Sequence, residues 1–222
     1  MDKGMMVMGH LRISLFAALL LFAGSGCAPT TMSDYTAFRQ SRPRSILVLP
    51  PLNNSPDMQA TYGFLSTVTQ PLAESGYYVF PVALVDQTFK ENGMLNPGEM
   101  HQASLAKLRE IFGADATLYI TVTQYGSVYR VLSSAIVVSA QAQLIDNRNG
   151  QLLWQGAATA ANSGGNSSGG LAGMLAGALI EQMINNIGDQ TIPVAREVSK
   201  DLLTARPNGL LYGPRSPFYE TD

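Results

Sequence analysis

The chain has 222 residues, with 14 Lys plus Arg, 16 Asp plus Glu, two His and one Cys. That length fits one domain of ordinary size and would crowd two. A net charge of −2 leaves no basic footprint for nucleic acid, a single cysteine excludes an internal disulfide or a multi-cysteine metal site, and 46% hydrophobic against 14% charged residues excludes a disordered chain.

Residues 1–26 have the three parts of a secretory signal. Lys3, His10 and Arg12 make a basic start, Ile13 to Ala23 form an 11-residue apolar run, and Gly24, Ser25 and Gly26 are small. The run is too short to span a bilayer, which needs ~20 residues. Cys27 follows directly. An apolar core, small residues and then cysteine resemble the lipobox of bacterial lipoproteins, although Gly24 stands where that pattern favours Leu. The resemblance implies diacylglycerylation of the Cys27 thiol, cleavage before it, and acylation of the new amino group. Ala28, not Asp, at the next position resembles the signal for export to the outer membrane. Loss of residues 1–26 removes two basic and one acidic side chain and leaves 12 and 15.

Residues 27–43 read as a lipid-anchored tether. Sixteen residues after the cysteine, 28–43, are polar and close on Pro43. Such a segment extends at most ~55 Å and averages ~22 Å as a coil. Arg39, Arg42 and Arg44 fit either lipid phosphates or simply a solvated end of the tether.

One domain is expected over residues 44–205. Ser45 to Leu49 read as a buried strand ended by Pro50 and Pro51. Ser55-Pro56-Asp57 form a helix start, and Met58, Tyr62, Leu65, Val68 and Leu72 share one helix face, with Pro71 kinking or ending it. Tyr77 to Phe80 make a second strand, and Pro81 to Glu91 a short helix closed by Asn92-Gly93. Asn96 and Glu99 form a capping box that opens a helix with Leu105, Leu108, Ile111 and Phe112 inward and Gly113 at its end. Period-2 alternation through Leu118, Ile120 and Val122, and again through Ile136, Val138, Ala140, Ala142 and Leu144, marks antiparallel strands. Asp146 to Gly150 are turn residues, and Gln151 to Thr159 pair back as a hairpin. The expected fold is α+β, close to α/β: one mixed, mainly antiparallel sheet of about five strands with helices mainly on one face.

Residues 162–170 are a Gly/Ser-rich loop. Behind it Leu171, Leu175 and Leu179 recur every four residues, with Gly173 and Gly177 between them. A helix apolar on most sides must be covered, and small residues let backbones approach closely. Packing on its own sheet and docking on a partner both fit. Pro193 breaks or bends the next helix, which Val194, Val198 and Leu202 continue. Residues 206–222 form an extended arm whose Leu211 and Tyr212 are expected to lie on a surface, of this chain or of another copy.

Reactive groups are sparse. The sequence holds no GxSxG, HExxH, Walker or CxxC motif, and Gly164 to Gly170 lack the ending of a phosphate-binding loop. His101 is expected at the surface of a helix. No catalytic, cofactor or metal site is predicted, nor any small-molecule substrate.

ESGYYVFPVALVDQ (74–87) and AQLIDNRNGQLLW (142–154) resemble segments of the TolB amino-terminal domain, the curli secretion channel lipoprotein and the outer-membrane activators of peptidoglycan synthases. With LLYGPRSP (210–217), the whole chain looks most like a family of outer-membrane lipoproteins of unknown function typified by a meningococcal vaccine-candidate lipoprotein. The resemblance implies a fold and an envelope location facing the periplasm, and no catalytic residues. The apolar, small-residue helix and the extended arm favour a non-enzymatic protein that assembles with itself or with companion lipoproteins, in a complex that fits transport or secretion. A synthase activator is the alternative, and an enzyme a distant third.

Overall fold

In the computed structural model of the protein, the described residues are 34–130, 133–163, 190–205 and 209–221. They belong to one compact unit, Ser33–Asp222. Its organising element is a sheet assembled around one long strand, β4 (Ala116–Arg130). The apolar run Ser45–Val48 becomes β1, which lies parallel to β4 with Val48 opposite Leu118. Pro50 and Pro51 have no N–H to give to the ladder. Pairing lapses there and resumes as β2 (Leu52–Asn53), again parallel to β4, with Leu52 opposite Thr121. β3 (Tyr78–Val79) adds a parallel strand on the other side of β1.

The alternating segments form the antiparallel half as expected. β5 (Ser133–Asp146) pairs along β4, and β6 (Leu152–Ser163) pairs along β5. The order is β3-β1-β4-β5-β6, with β2 also on β4. The sheet is therefore mixed and mainly antiparallel by length. Val48, Leu118, Leu144 and Trp154 make one row across both halves.

Helices cover one face over most of its extent. These are α1 (Thr36–Ser41), α2 (Ala60–Leu65), α3 (Thr69–Glu74) and α7 (Thr191–Leu203), and the large core lies beneath them. α7 lies on β5 and β6 through Val194, Ala195, Val198, Leu202 and Leu203. Among the described residues, the other face is covered only at its parallel end. There α4 (Val82–Glu91), α5 (Pro97–Met100) and α6 (Leu105–Phe112) enclose a second core of Leu47, Leu49, Val85, Phe89, Met100 and Leu108.

Several local expectations change. The single helix expected from Pro56 to Leu72 is two, because the chain turns between Leu65 and Thr69; Pro71 sits in the first turn of α3, where it costs no hydrogen bond. Asn96 caps α5 by accepting from Glu99 N at 3.0 Å, but that helix stops at Met100, whose side chain is driven fully into the second core. Ser104 then caps α6 separately by accepting from Lys107 N at 3.3 Å. Gly113 ends α6 in the left-handed region, as its type favours, while Ile111, expected inward, is exposed. Pro193 likewise lies in the first turn of α7 and does not break it.

Candidate functional site

Two places concentrate polar side chains whose partners are distant in sequence. The first is the proline break. Pro50 and Pro51 lift their carbonyls out of the ladder, and side chains take them up. His101 Nε2 lies 2.9 Å from Pro50 O, and Thr61 Oγ1 donates to Pro51 O at 3.2 Å. A carbonyl only accepts, so Nε2 carries the proton. The imidazole and the Tyr119 ring meet nearly perpendicular, with 5.3 Å between centroids. His101 is therefore not the surface residue expected; it is half-buried and braces the break. Burial pushes its pKa down, against the opposing pull of the Pro50 carbonyl. The folded state thus resists protonation more than the unfolded chain does. This stability is full above the ordinary histidine pKa near 6.5 and is lost as pH falls through that value toward the folded one. His101→Gln keeps a donor for Pro50 and is expected to flatten the loss as pH falls below about 6.5. Urea midpoints against pH for both proteins check this; parallel curves would remove His101 as the cause.

The second place is the pole where β1 begins. Here α1, the β5–β6 turn, the α3–β3 turn and the C-terminal segment meet. Asp146, only 1% exposed, accepts from Ser41 Oγ at 2.6 Å and from Arg148 Nη2 at 2.6 Å. Burial alone would raise its carboxyl. The bonds from Arg148 and Ser41 together outweigh that and hold it below the usual carboxylate range. Asn147 is also buried, bonding Thr117 Oγ1 and Ala114 O. Asp115 accepts from Arg44 N at 2.8 Å and from Ser45 N and Oγ at 3.2 Å.

Residues 34–43 of the stretch expected as tether pack into the domain here. Phe38 of α1 is 3% exposed in the large core, and Tyr35 Oη donates to Gly209 O at 2.6 Å. Three elements remote in sequence hold α1, so a polar, irregular-looking stretch becomes part of the fold. The C-terminal segment lies in cis. Gly213 N donates to Ser75 O at 2.8 Å, Arg215 N donates to Gly76 O at 3.1 Å, and Tyr77 Oη donates to Leu211 O. Leu211, expected on a docking surface, is 6% exposed in this chain's own core. Tyr212 is half-buried beside Phe218, with ring centroids 5.4 Å apart. Between α1 and this segment lies a recess lined by Phe38, Arg39, Arg42, Tyr77, Tyr212 and Glu220. Arg42 and Glu220 pair across it at 2.8 Å. Residue type alone marks none of these partners except the basic run.

Cys27, Leu171, Gly173, Leu175, Gly177 and Leu179 lie outside the described residues. Among the described residues no three His, Cys, Asp or Glu side chains gather as a metal site, and no helix is long and apolar enough to cross a membrane.

The model of the family described as "Putative lipoprotein GNA1162-like" matches residues 33–215. The lipoprotein NMB1124/NMB1162 of Neisseria meningitidis is 46% identical over 200 residues, spanning 90% of this chain and 93% of that one. The crystal structure of lipoprotein GNA1162 from the same species superposes with a TM-score of 0.54 at 52% identity, covering 65% of this chain and all of that one. A dodecameric PelC from Paraburkholderia phytofirmans gives a TM-score of 0.46 at 18% identity, covering 76% and 91%. The match from the start of α1 to the C-terminal segment, with near-half identity to a full-length relative, makes this chain a member of the GNA1162-like lipoprotein family.

Proposed function

We propose that the protein is a membrane-anchored envelope lipoprotein, held at the outer membrane by acylated Cys27, that acts as a non-enzymatic assembly component with copies of itself or with companion lipoproteins. The observation that carries this reading is the position of the one cysteine. It follows an apolar run and three small residues, and Asp34, where the described domain begins, is seven residues further on. The connection spans at most ~25 Å, so the domain works next to the membrane that holds it. Even two acyl chains suffice for stable anchoring. The buried and half-buried polar groups support the same reading. His101, Asp115, Asp146 and Asn147 each bond within the fold, which suits a rigid scaffold. The apolar stretch Leu171, Gly173, Leu175, Gly177 and Leu179 is the segment we assign to docking, together with Tyr212.

Labelled palmitate is expected to enter the wild type and to be lost completely in Cys27→Ala, which should also leave the membrane fraction. Label that survives the substitution overturns the anchor. Crosslinking in cells followed by pull-down tests the assembly: recovery of copies or companion lipoproteins supports it, and recovery of a peptidoglycan synthase replaces it.

A further inference from the structure

We propose that the pole from which β1 starts is a docking face for anionic phospholipid headgroups, with Arg39, Arg42, Arg44 and Arg215 as its contacts. The inference rests on the anchored reading above and says how the anchored domain is oriented. All four side chains are exposed. Arg39 and Arg42 line the recess beside α1. Arg44 immediately precedes β1, and Tyr78 pairs with Ser45 at the start of that strand. The Arg215 guanidinium lies over the Tyr78 ring at 5.4 Å. The four cations thus ring one end of the sheet.

Acidic groups are present at the same pole, but the two nearest the sheet are already engaged in hydrogen bonds. Asp146 is buried under Ser41 and Arg148, and Asp115 is taken up by the backbone and hydroxyl of Ser45 and by Arg44 N. Glu220 is engaged with Arg42, and both side chains remain more than half exposed, 54% and 63%. Such an exposed pair is weak and can exchange for a phosphate. Asp34 and Glu74 remain exposed at the margin. All the basic residues in the ring are arginine, whose planar fork suits a phosphodiester oxygen pair. The described lysines, Lys90, Lys107 and Lys200, lie on α4, α6 and α7.

Chain length selects the occupant. Asp34 is the seventh residue after Cys27. A connection of at most ~25 Å keeps α1 near the bilayer that receives the acyl chains. The face closest in sequence to the anchor is therefore also the arginine-rich one, and a lipid surface is the anionic partner always within reach.

The acylated protein is reconstituted in vesicles of phosphatidylethanolamine with phosphatidylglycerol, or of phosphatidylcholine alone. Hydrogen exchange is then read by mass spectrometry. Each arginine at an anionic surface shifts occupancy about five-fold. Peptides covering 36–44 and 209–221 are expected to exchange about ten-fold more slowly on the anionic vesicles. The difference should vanish at about 1 M salt, where the Debye length is about 3 Å. It should also vanish in the triple variant Arg39→Gln, Arg42→Gln, Arg44→Gln, while α7 peptides stay unchanged. Flotation with both vesicles but equal exchange overturns the docking face and leaves the anchor standing. Failure to float with either overturns both. The salt arm needs no variant, so a triple variant that misfolds does not spare the proposal.

Discussion

Gly76→Ala is expected to lower stability by about 3 kcal/mol and to release the C-terminal segment. Gly76 has φ +95°, a region that costs other residues about 1–2 kcal/mol. The larger part is steric. A Cβ there would stand 2.4 Å from Ser216 N and 2.8 Å from Gly213 O, both backbone atoms that no rotamer change can move. The contact is reciprocal, since a Cβ on Gly213 would meet Gly76 O at 2.6 Å. To accept the methyl group, the segment must leave Ser75 and Gly76. It then gives up the Gly213 and Arg215 backbone bonds and the cover over Leu210 and Leu211. Gly93→Ala is the control: its φ is +82°, with nothing within 4 Å of the added carbon. That variant should lose only the conformational part, about 1 kcal/mol. Urea unfolding followed by Trp154 fluorescence measures both, and cleavage after Arg215 by trypsin reports release. Equal losses in the two variants would show that the segment does not need its close approach.

Leu118→Ala should cost about 4 kcal/mol and unfold the whole domain rather than one end. Leu118 is fully buried and stands between Val48 of β1 and Leu144 of β5. It is thus where the parallel and antiparallel halves share side-chain packing. Backbone pairing on both sides prevents the strand from collapsing into the space, which puts the site toward the costly end of leucine truncations. Truncating an exposed leucine such as Leu84 should leave stability within about 0.5 kcal/mol. A Leu118→Ala protein whose unfolding separates into two transitions would refute a single cooperative core.

The antiparallel half was legible because strands encode themselves with period 2. Residues 116–122 and 138–144 alternate strictly, and their even-numbered side chains face the large core. Helix limits were less legible. α5 and α6 appear as one helix in the pattern, because the decision to stop at Met100 comes from the second core and not from neighbouring residues. α1 was invisible for the same reason. Six residues are too few to show a helical stripe, and its stability comes from Phe38 and from bonds to Gly209 and Asp146, both over a hundred residues away. The arginines were visible as a short run, but not that Arg215 joins them.

The sequence by itself determined the family and the α+β class, since strand alternation and the short family segments are local patterns read within a few residues. Tertiary structure alone decided that the chain from Tyr35 to Ser41 belongs to the domain, that Leu211 is core, that His101 braces a proline break, and that the arginines share one pole with hydrogen-bonded carboxylates. Each of these depends on burial and on partners brought together from distant segments, and no local pattern carries that information.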